Sequence, residues 1–184
     1  MPRHRVFTAL RWSDMDAYGH INNVQFLRLL EDARVLTFGA QGAPGGGSLL
    51  ATGLIVGRQE IEYLEPLVFR AQSVAIDLWV TAIGGADFDL GYEIRDPDPG
   101  DPVPVLSAAG TPNGTGETLP VDAVPADGTG TPSVGKVYAR AETMQVVYDL
   151  ATASPRRLTP EERARLEGMR GEPVPWRRRR RSRT

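Results

Sequence analysis

The sequence predicts an α+β protein in which one long helix is wrapped by a mostly antiparallel sheet. Three observations point there. Residues 24–38 carry apolar side chains over more than one helical face. A run of strand-like segments follows, one pair of them joined by a Gly-Gly turn. The order is strand, long helix, then at least four strands, and strands in sequential hairpins give an antiparallel sheet.

VFTALRW (6–12) alternates loosely and reads as the first strand. In the helix, Val24, Leu27, Leu30, Leu36 and Phe38 form a stripe that Phe26, Leu29, Ala33 and Val35 widen. A stripe that broad predicts deep burial. Asn22 or Asn23 is placed to cap the helix, since its side-chain oxygen can meet an orphan backbone N–H. GAQGAPGGGS (39–48) ends the helix as a flexible loop by composition.

GLIVGRQEIEYLEPL (53–67) sets Ile61 and Tyr63 against Glu60, Glu62 and Glu65 in alternation. SVAIDLWVTAIG (73–84) and ADFDLGYEIRD (86–96) follow, with Gly84-Gly85 between them as a hairpin turn. Residues 97–133 hold eight Pro and six Gly and no Lys or Arg, and read as a long insertion loop with one short strand, VPVLSAA (103–109). GKVYARAETMQVVYDL (135–150) is the last long strand. SPRRLTPEERARLEGM (154–169) predicts a short helix starting at Thr-Pro with Glu161 and Glu162 in its first turn. The expected organisation is a domain over 1–96 and 134–153, an insertion over 97–133, a short helix over 154–170 and a basic, disordered tail over 171–184. Trp12 and Tyr63 are read as core.

Bulk composition narrows the chemistry. The 184 residues fit one domain with a tail, and 41% hydrophobic content is enough for a core. There are no cysteines, which excludes a disulfide framework, a Cys-ligated metal and a cysteine nucleophile, and suits a reducing compartment. Two histidines, His4 and His20, are too few for a multi-histidine metal centre. No apolar run reaches the ~18–20 residues of a membrane span, and MPRHRVFTALRW lacks the features of a secretory signal. The expected location is cytoplasmic. The net charge of -2 hides an asymmetry: six Arg lie in RRRRRSRT (177–184), so the remainder stands at -2 minus 6, or -8. Such a tail can contact nucleic acid or an anionic surface, although a solvated end is the simpler expectation.

The densest polar cluster is RWSDMDAYGHINN (11–23), immediately ahead of the helix. As a calcium loop starting at Asp14 it offers Asp16 and Gly19 in the right places. Tyr18 and Gln25 then occupy two ligand positions, the second of which needs a bidentate Glu, so no metal is expected. As a plain turn it is well made, with Gly19 able to supply φ > 0 and Asn22 or Asn23 to cap. As a working site it places a carboxylate, Asp16, one short loop before a helix N-terminus. The unpaired N–H groups and positive dipole end there suit a polarised carbonyl. A thioester needs little more, because its carbonyl is electrophilic and its leaving thiol has a moderate pKa. No G-x-S-x-G nucleophile elbow is present.

RWSDMDAYGHINNVQFLRLLEDAR resembles the signature of hotdog-fold acyl-CoA thioesterases of the 4-hydroxybenzoyl-CoA thioesterase family. EIEYLEPLVF and KVYARAETMQVVYDLATASPRRLTPEERARL are similar to that family's strand after the wrapped helix and to its last strand and tail. The resemblance implies a single hotdog fold, an acyl-CoA substrate, no cofactor and a homodimer or homotetramer. It also implies a site at the subunit interface. The catalytic Asp falls on Asp16, the carbonyl-polarising N–H on Asn23, and loop-shaping positions on His20 and Asn22. Gly19, Tyr18, Asn22 and Arg58 are expected on the substrate side. Arg58 and Arg70 are candidates to meet CoA phosphates, with surface solvation the competing reading. Glu31 and Asp32 read as an exposed helix edge or partners for Arg28 or Arg34, and Asp14 as loop support. Acyl-ACP thioesterases show a similar block with Asn two residues after the Asp; Tyr18 stands there in this chain, against the acyl-ACP version. Hotdog dehydratases space Asp and His by five, whereas Asp16 and His20 are four apart and Asp14 and His20 six. That enzyme and a non-catalytic acyl-CoA-binding protein are the alternatives.

Overall fold

The computed structural model describes residues 3–39, 53–103 and 135–177. Residues 1–2, 40–52, 104–134 and 178–184 lie outside the described residues. They hold most of the expected Gly-rich loop, most of the insertion and of its short strand, and most of the arginine run. The described chain runs β1 (His4–Thr8), a 3-10 turn (Trp12–Asp14), α1 (Asn23–Phe38), β2 (Leu54–Tyr63), β3 (Val74–Ile83) and β4 (Asp87–Arg95). It continues through β5 (Val137–Asp149), β6 (Ser154–Pro155) and α2 (Pro160–Glu167).

All pairings between these strands are antiparallel, in the order β1-β3-β4-β5-β2, with the short β6 added to β5. The sheet is curved and unclosed, a hotdog fold with α1 on its inner face. Alternation sorts the faces. Val74, Ile76, Leu78 and Val80 of β3 and Phe88, Leu90, Tyr92 and Ile94 of β4 point inward, where they meet Phe26, Leu29, Leu30, Ala33 and Phe38 of α1. Each fully buried Leu or Ile here contributes roughly 1.5–3 kcal/mol.

The helix departs from expectation on one point. Val24, Val35 and Leu36 are 61%, 50% and 52% exposed, so α1 is buried along one face only. The sheet of one chain covers one side of a helix, and the wide stripe leaves apolar groups on the other. Trp12 is also not core, being 72% exposed on the 3-10 turn. Its neighbours Arg11 and Asp14 close that turn, and β1 ends at Thr8.

Thr159 caps α2 through a reciprocal pair: its hydroxyl accepts from Glu162 N–H, and the Glu162 carboxylate accepts from Thr159 N–H. The Gly84-Gly85 hairpin forms between β3 and β4.

Residues 171–177, expected within a basic disordered tail, pack on the outer face of the sheet instead. Val80 N–H donates to Met169 C=O and Gly171 N–H to Val80 C=O, which seats the strap against β3. Trp79 Nε1 donates to Glu172 C=O at 2.7 Å, Val174 is buried, and Arg140 donates to Pro175 C=O. The strap ends on β2, where Arg177 N–H meets Glu62 and its guanidinium meets Leu64 C=O.

Candidate active site

The loop between the 3-10 turn and α1 is built from its backbone outward. Met15 and Ile21 form an isolated antiparallel bridge, and Asp16 N–H donates to His20 C=O at 2.8 Å. The intervening residues must reverse the chain in a few steps. Gly19 makes this possible at φ +76°, where a side chain is strained. Asp16 Oδ1 accepts from Tyr18 N–H at 2.8 Å and His20 N–H at 3.2 Å, fixing the carboxylate to the turn. Ile21 is buried, and its N–H donates to Leu67 C=O, tying the loop to the segment after β2.

The two acids separate cleanly. Asp14 is 4% exposed and accepts from Arg28 of α1 at 2.6 Å and from Arg11 N–H at 3.1 Å. Arg28 also binds Asp32 one turn on, at 2.6 Å. Asp14 therefore anchors the loop to the helix. Asp16 is only partly buried and faces a cleft.

Asn22 is the N-cap: its Oδ1 accepts from Val24 N–H at 3.0 Å, and its carbonyl accepts from Gln25 N–H at 2.9 Å. Asn23, the first helical residue, has an N–H for which a helix offers no internal acceptor. There is no acid in the first turn of α1, so the positive dipole end is not neutralised from within the helix.

Asp16, His20 and Asn23 line one open cleft of about 380 Å³ at this helix end, with Phe26 and Tyr63 across from them. These are the three residues expected to be catalytic. Asn22 stands behind the cleft as the cap, and Gly19 shapes the turn. Tyr18 is 85% exposed and does not line it. Nor does Arg58, which pairs with Glu142 at 3.3 Å on the outer face of β2. Arg70 is not a surface residue: it is 5% exposed and held by Asp96 and, at 2.9 Å, by the Tyr138 hydroxyl. Arg70 is taken up by Asp96, and Arg58 lies on the outer face of β2 away from the cleft. Glu31 is exposed, as expected.

Two polar cleft residues escaped the sequence reading. Tyr63, read as core, is 43% exposed. Its hydroxyl donates to Asn23 C=O at 3.1 Å, and its ring meets Phe26 edge-on at 5.2 Å. Partial burial raises its phenol above the usual range, opposed by the bond to Asn23. Glu65 also lines the cleft. The signal for both was their place at the end of β2, but nothing local showed that β2 ends beside α1. Among the described residues, no cluster of three His, Asp or Glu is disposed to hold a metal ion, and no helix is long and apolar enough to cross a membrane.

The geometry is a turn-fixed carboxylate and a helix N-terminus lining one cleft on a hotdog sheet. The family model of the thioesterase-like superfamily matches residues 10–176. The chain belongs to that superfamily, and thioester hydrolysis is its class of chemistry. The fold is similar to a predicted thioesterase from Bacillus stearothermophilus at 16% identity and TM-score 0.63, covering 94% of this chain and 99% of that one. It is similar to a thioesterase from Thermus thermophilus complexed with coenzyme A and Zn, at 19% identity and TM-score 0.59, covering 90% and 92%. A thioesterase superfamily protein from Jannaschia sp. CCS1 aligns at 15% identity and TM-score 0.56, covering 88% and 79%. Among curated proteins, none matches the sequence.

Proposed function

We propose that the protein hydrolyses an acyl-CoA to the free acid and CoA. The observation that carries this reading is the convergence of Asp16, His20 and Asn23 on one cleft at the N-terminus of α1. The thioester oxygen sits against the Asn23 N–H, where the helix dipole favours developing negative charge. Asp16 either takes a proton from water as its oxygen attacks the carbonyl carbon, or attacks that carbon directly to give an acyl-Asp16 anhydride that water then hydrolyses to the free acid. The C–S bond breaks and the CoA thiolate leaves, to be protonated by solvent. His20 and Asn22 hold the loop and the helix end in register. The coenzyme A complex of the Thermus neighbour supports CoA as the carrier.

A second copy of the chain completes the site in this reading. Val24, Val35 and Leu36 of α1 and Ile55 of β2 expose apolar surface in the single chain, and a homodimer would cover it. Tyr18 and Arg58, which do not reach the cleft of their own chain, would serve substrate there only across such an interface.

The test is thiol release from a panel of short, long and aromatic acyl-CoAs. Release that disappears in Asp16→Asn supports the reading. Binding of every acyl-CoA with no thiol released by the wild type would show a non-catalytic acyl-CoA-binding protein.

A further inference from the structure

Two arginines are buried among the described residues, and they are treated differently. Arg70 is neutralised by Asp96 and bonded to Tyr138. Arg34 of α1, 7% exposed, has no carboxylate within ion-pair distance among the described residues. Its hydrogen bond is a long one, from Nη1 to the Tyr92 hydroxyl at 3.5 Å. A guanidinium with this little solvent contact and no counter-charge among the described residues favours an anion beside it.

The surroundings ask for an acceptor as well. Tyr92 and Thr143 hydroxyls lie 3.0 Å apart, and Gln145 Nε2 donates to Thr143 Oγ1 at 2.7 Å. All three side chains are buried on the inner face of the sheet. An arginine brings five N–H donors and no acceptor, so the cluster is rich in donors. Gln59, opposite Thr143 on β2, is exposed, so the sheet is open to approach beside this cluster.

Arg34 also stands in line with the cleft. Phe26, which lines the cleft, Leu30 and Arg34 follow one another at four-residue spacing on one helical face. Eight residues of helix put Arg34 roughly 12 Å from Phe26 along the axis. The sheet gives a matching distance. Tyr63 at the cleft pairs with Ala139, and Thr143 lies four residues further along β5, roughly 13 Å away. Both rulers put this cationic, donor-rich cluster roughly 12–13 Å of backbone from residues beside the cleft.

We propose that Arg34, with Tyr92, recognises a carboxylate at the far end of the acyl group, making the substrates ω-carboxyacyl thioesters. This rests on the thioester site proposed at the α1 N-terminus. Arg34 is then a specificity-determining residue that touches no reacting atom, and the plain acyl chain of equal length is the poor substrate because it leaves the buried charge unpaired.

The experiment compares succinyl-, glutaryl-, adipoyl- and suberoyl-CoA with butyryl-, valeryl-, hexanoyl- and octanoyl-CoA, using wild type and Arg34→Met. Wild type should favour one or more carboxylated chains by at least about tenfold in kcat/KM. Arg34→Met should reverse the preference while turning over the plain chains at least as well. It should also fold, since an apolar side chain of similar size replaces an unpaired charge. Equal kcat/KM for the two series in wild type overturns the inference. So does a variant that loses both series alike, or one whose Tm falls sharply, which would show Arg34 paired within the chain. A second readout is independent of turnover: adipate, but not hexanoate, should raise the Tm of wild type and not of Arg34→Met. If no thioester is hydrolysed and adipate still acts this way, the proposed reaction fails and the anion site stands. If adipate has no effect, the anion site fails whatever the turnover.

Discussion

Asp16 Oδ1 holds its own loop closed, accepting the backbone N–H of His20 at 3.2 Å and that of Tyr18 at 2.8 Å. One carboxylate oxygen is thus committed to structure, and on the proposed mechanism the chemistry falls to the other. Asp16→Asn keeps an acceptor oxygen for the turn, so the protein should unfold at the wild-type Tm while thiol release falls by about 10²–10⁴-fold. Asp16→Ala removes the acceptor too and should cost a further ~1–2 kcal/mol in urea unfolding.

Glu65 is the other carboxylate lining the cleft. It comes from the chain after β2 and is not part of the turn that aims Asp16. Glu65→Gln should therefore keep turnover within about threefold of wild type in the same assay, against the ~10²-fold or greater loss at Asp16. A loss at Glu65 as large as that at Asp16→Asn would move the base to Glu65.

The Asn22 side chain holds the Val24 N–H at 3.0 Å. Asn22→Ala should cost about 1 kcal/mol of stability. Asn22→Asp keeps the cap but sets a negative charge at the end of α1 that is to polarise the carbonyl. It should retain the wild-type Tm and still lose kcat, which separates the cap from the electrostatics of the helix end.

Asp96 is fully buried against Arg70 and the Tyr138 hydroxyl. Asp96→Ala leaves a buried guanidinium alone and should destabilise by about 3–5 kcal/mol. Arg58→Ala breaks an exposed pair with Glu142 and should stay within about 0.5 kcal/mol. Denaturant unfolding of the two variants side by side measures the difference.

Trp79 lies between two glycines on the outer face of the sheet. A Cβ on Gly91 would fall 2.6 Å from Trp79 Cε2, and one on Gly171 2.6 Å from Cδ1. Gly91→Ala should cost roughly 1–3 kcal/mol, because the indole must move out of its seat. Truncation after Arg170 should instead expose the indole, seen as a red shift in tryptophan emission with a lower Tm.

The local signals in the sequence were reliable where the physics is local. A side chain capping its own helix, as Asn22 and Thr159 do, is settled within three residues, and so are the positive φ of Gly19 and the reversal at Gly84-Gly85. Errors fell where the partner is distant in sequence. Arg70 looked like a surface cation because its carboxylate is at position 96, and Tyr63 looked like core because its carbonyl partner, Asn23, lies on another element. The strap over 171–177 looked like tail because its apolar contacts are few and its hydrogen bonds run to strands far back in the chain.

The order of the elements, the capped helix, and the placing of a carboxylate and a helix-terminal amide within eight residues of one another were legible in the amino-acid order, since all three follow from short-range periodicity and turn chemistry. What those groups face depends on how distant segments pack. Sheet order brings the end of β2 to the start of α1, so Tyr63 and Glu65 join the cleft. Packing buries Asp14 against Arg28 and leaves Asp16 at the opening. The same packing sets Arg34 against Tyr92 on the inner face of the sheet, because burial depends on which surfaces meet, and that is fixed by the whole chain at once.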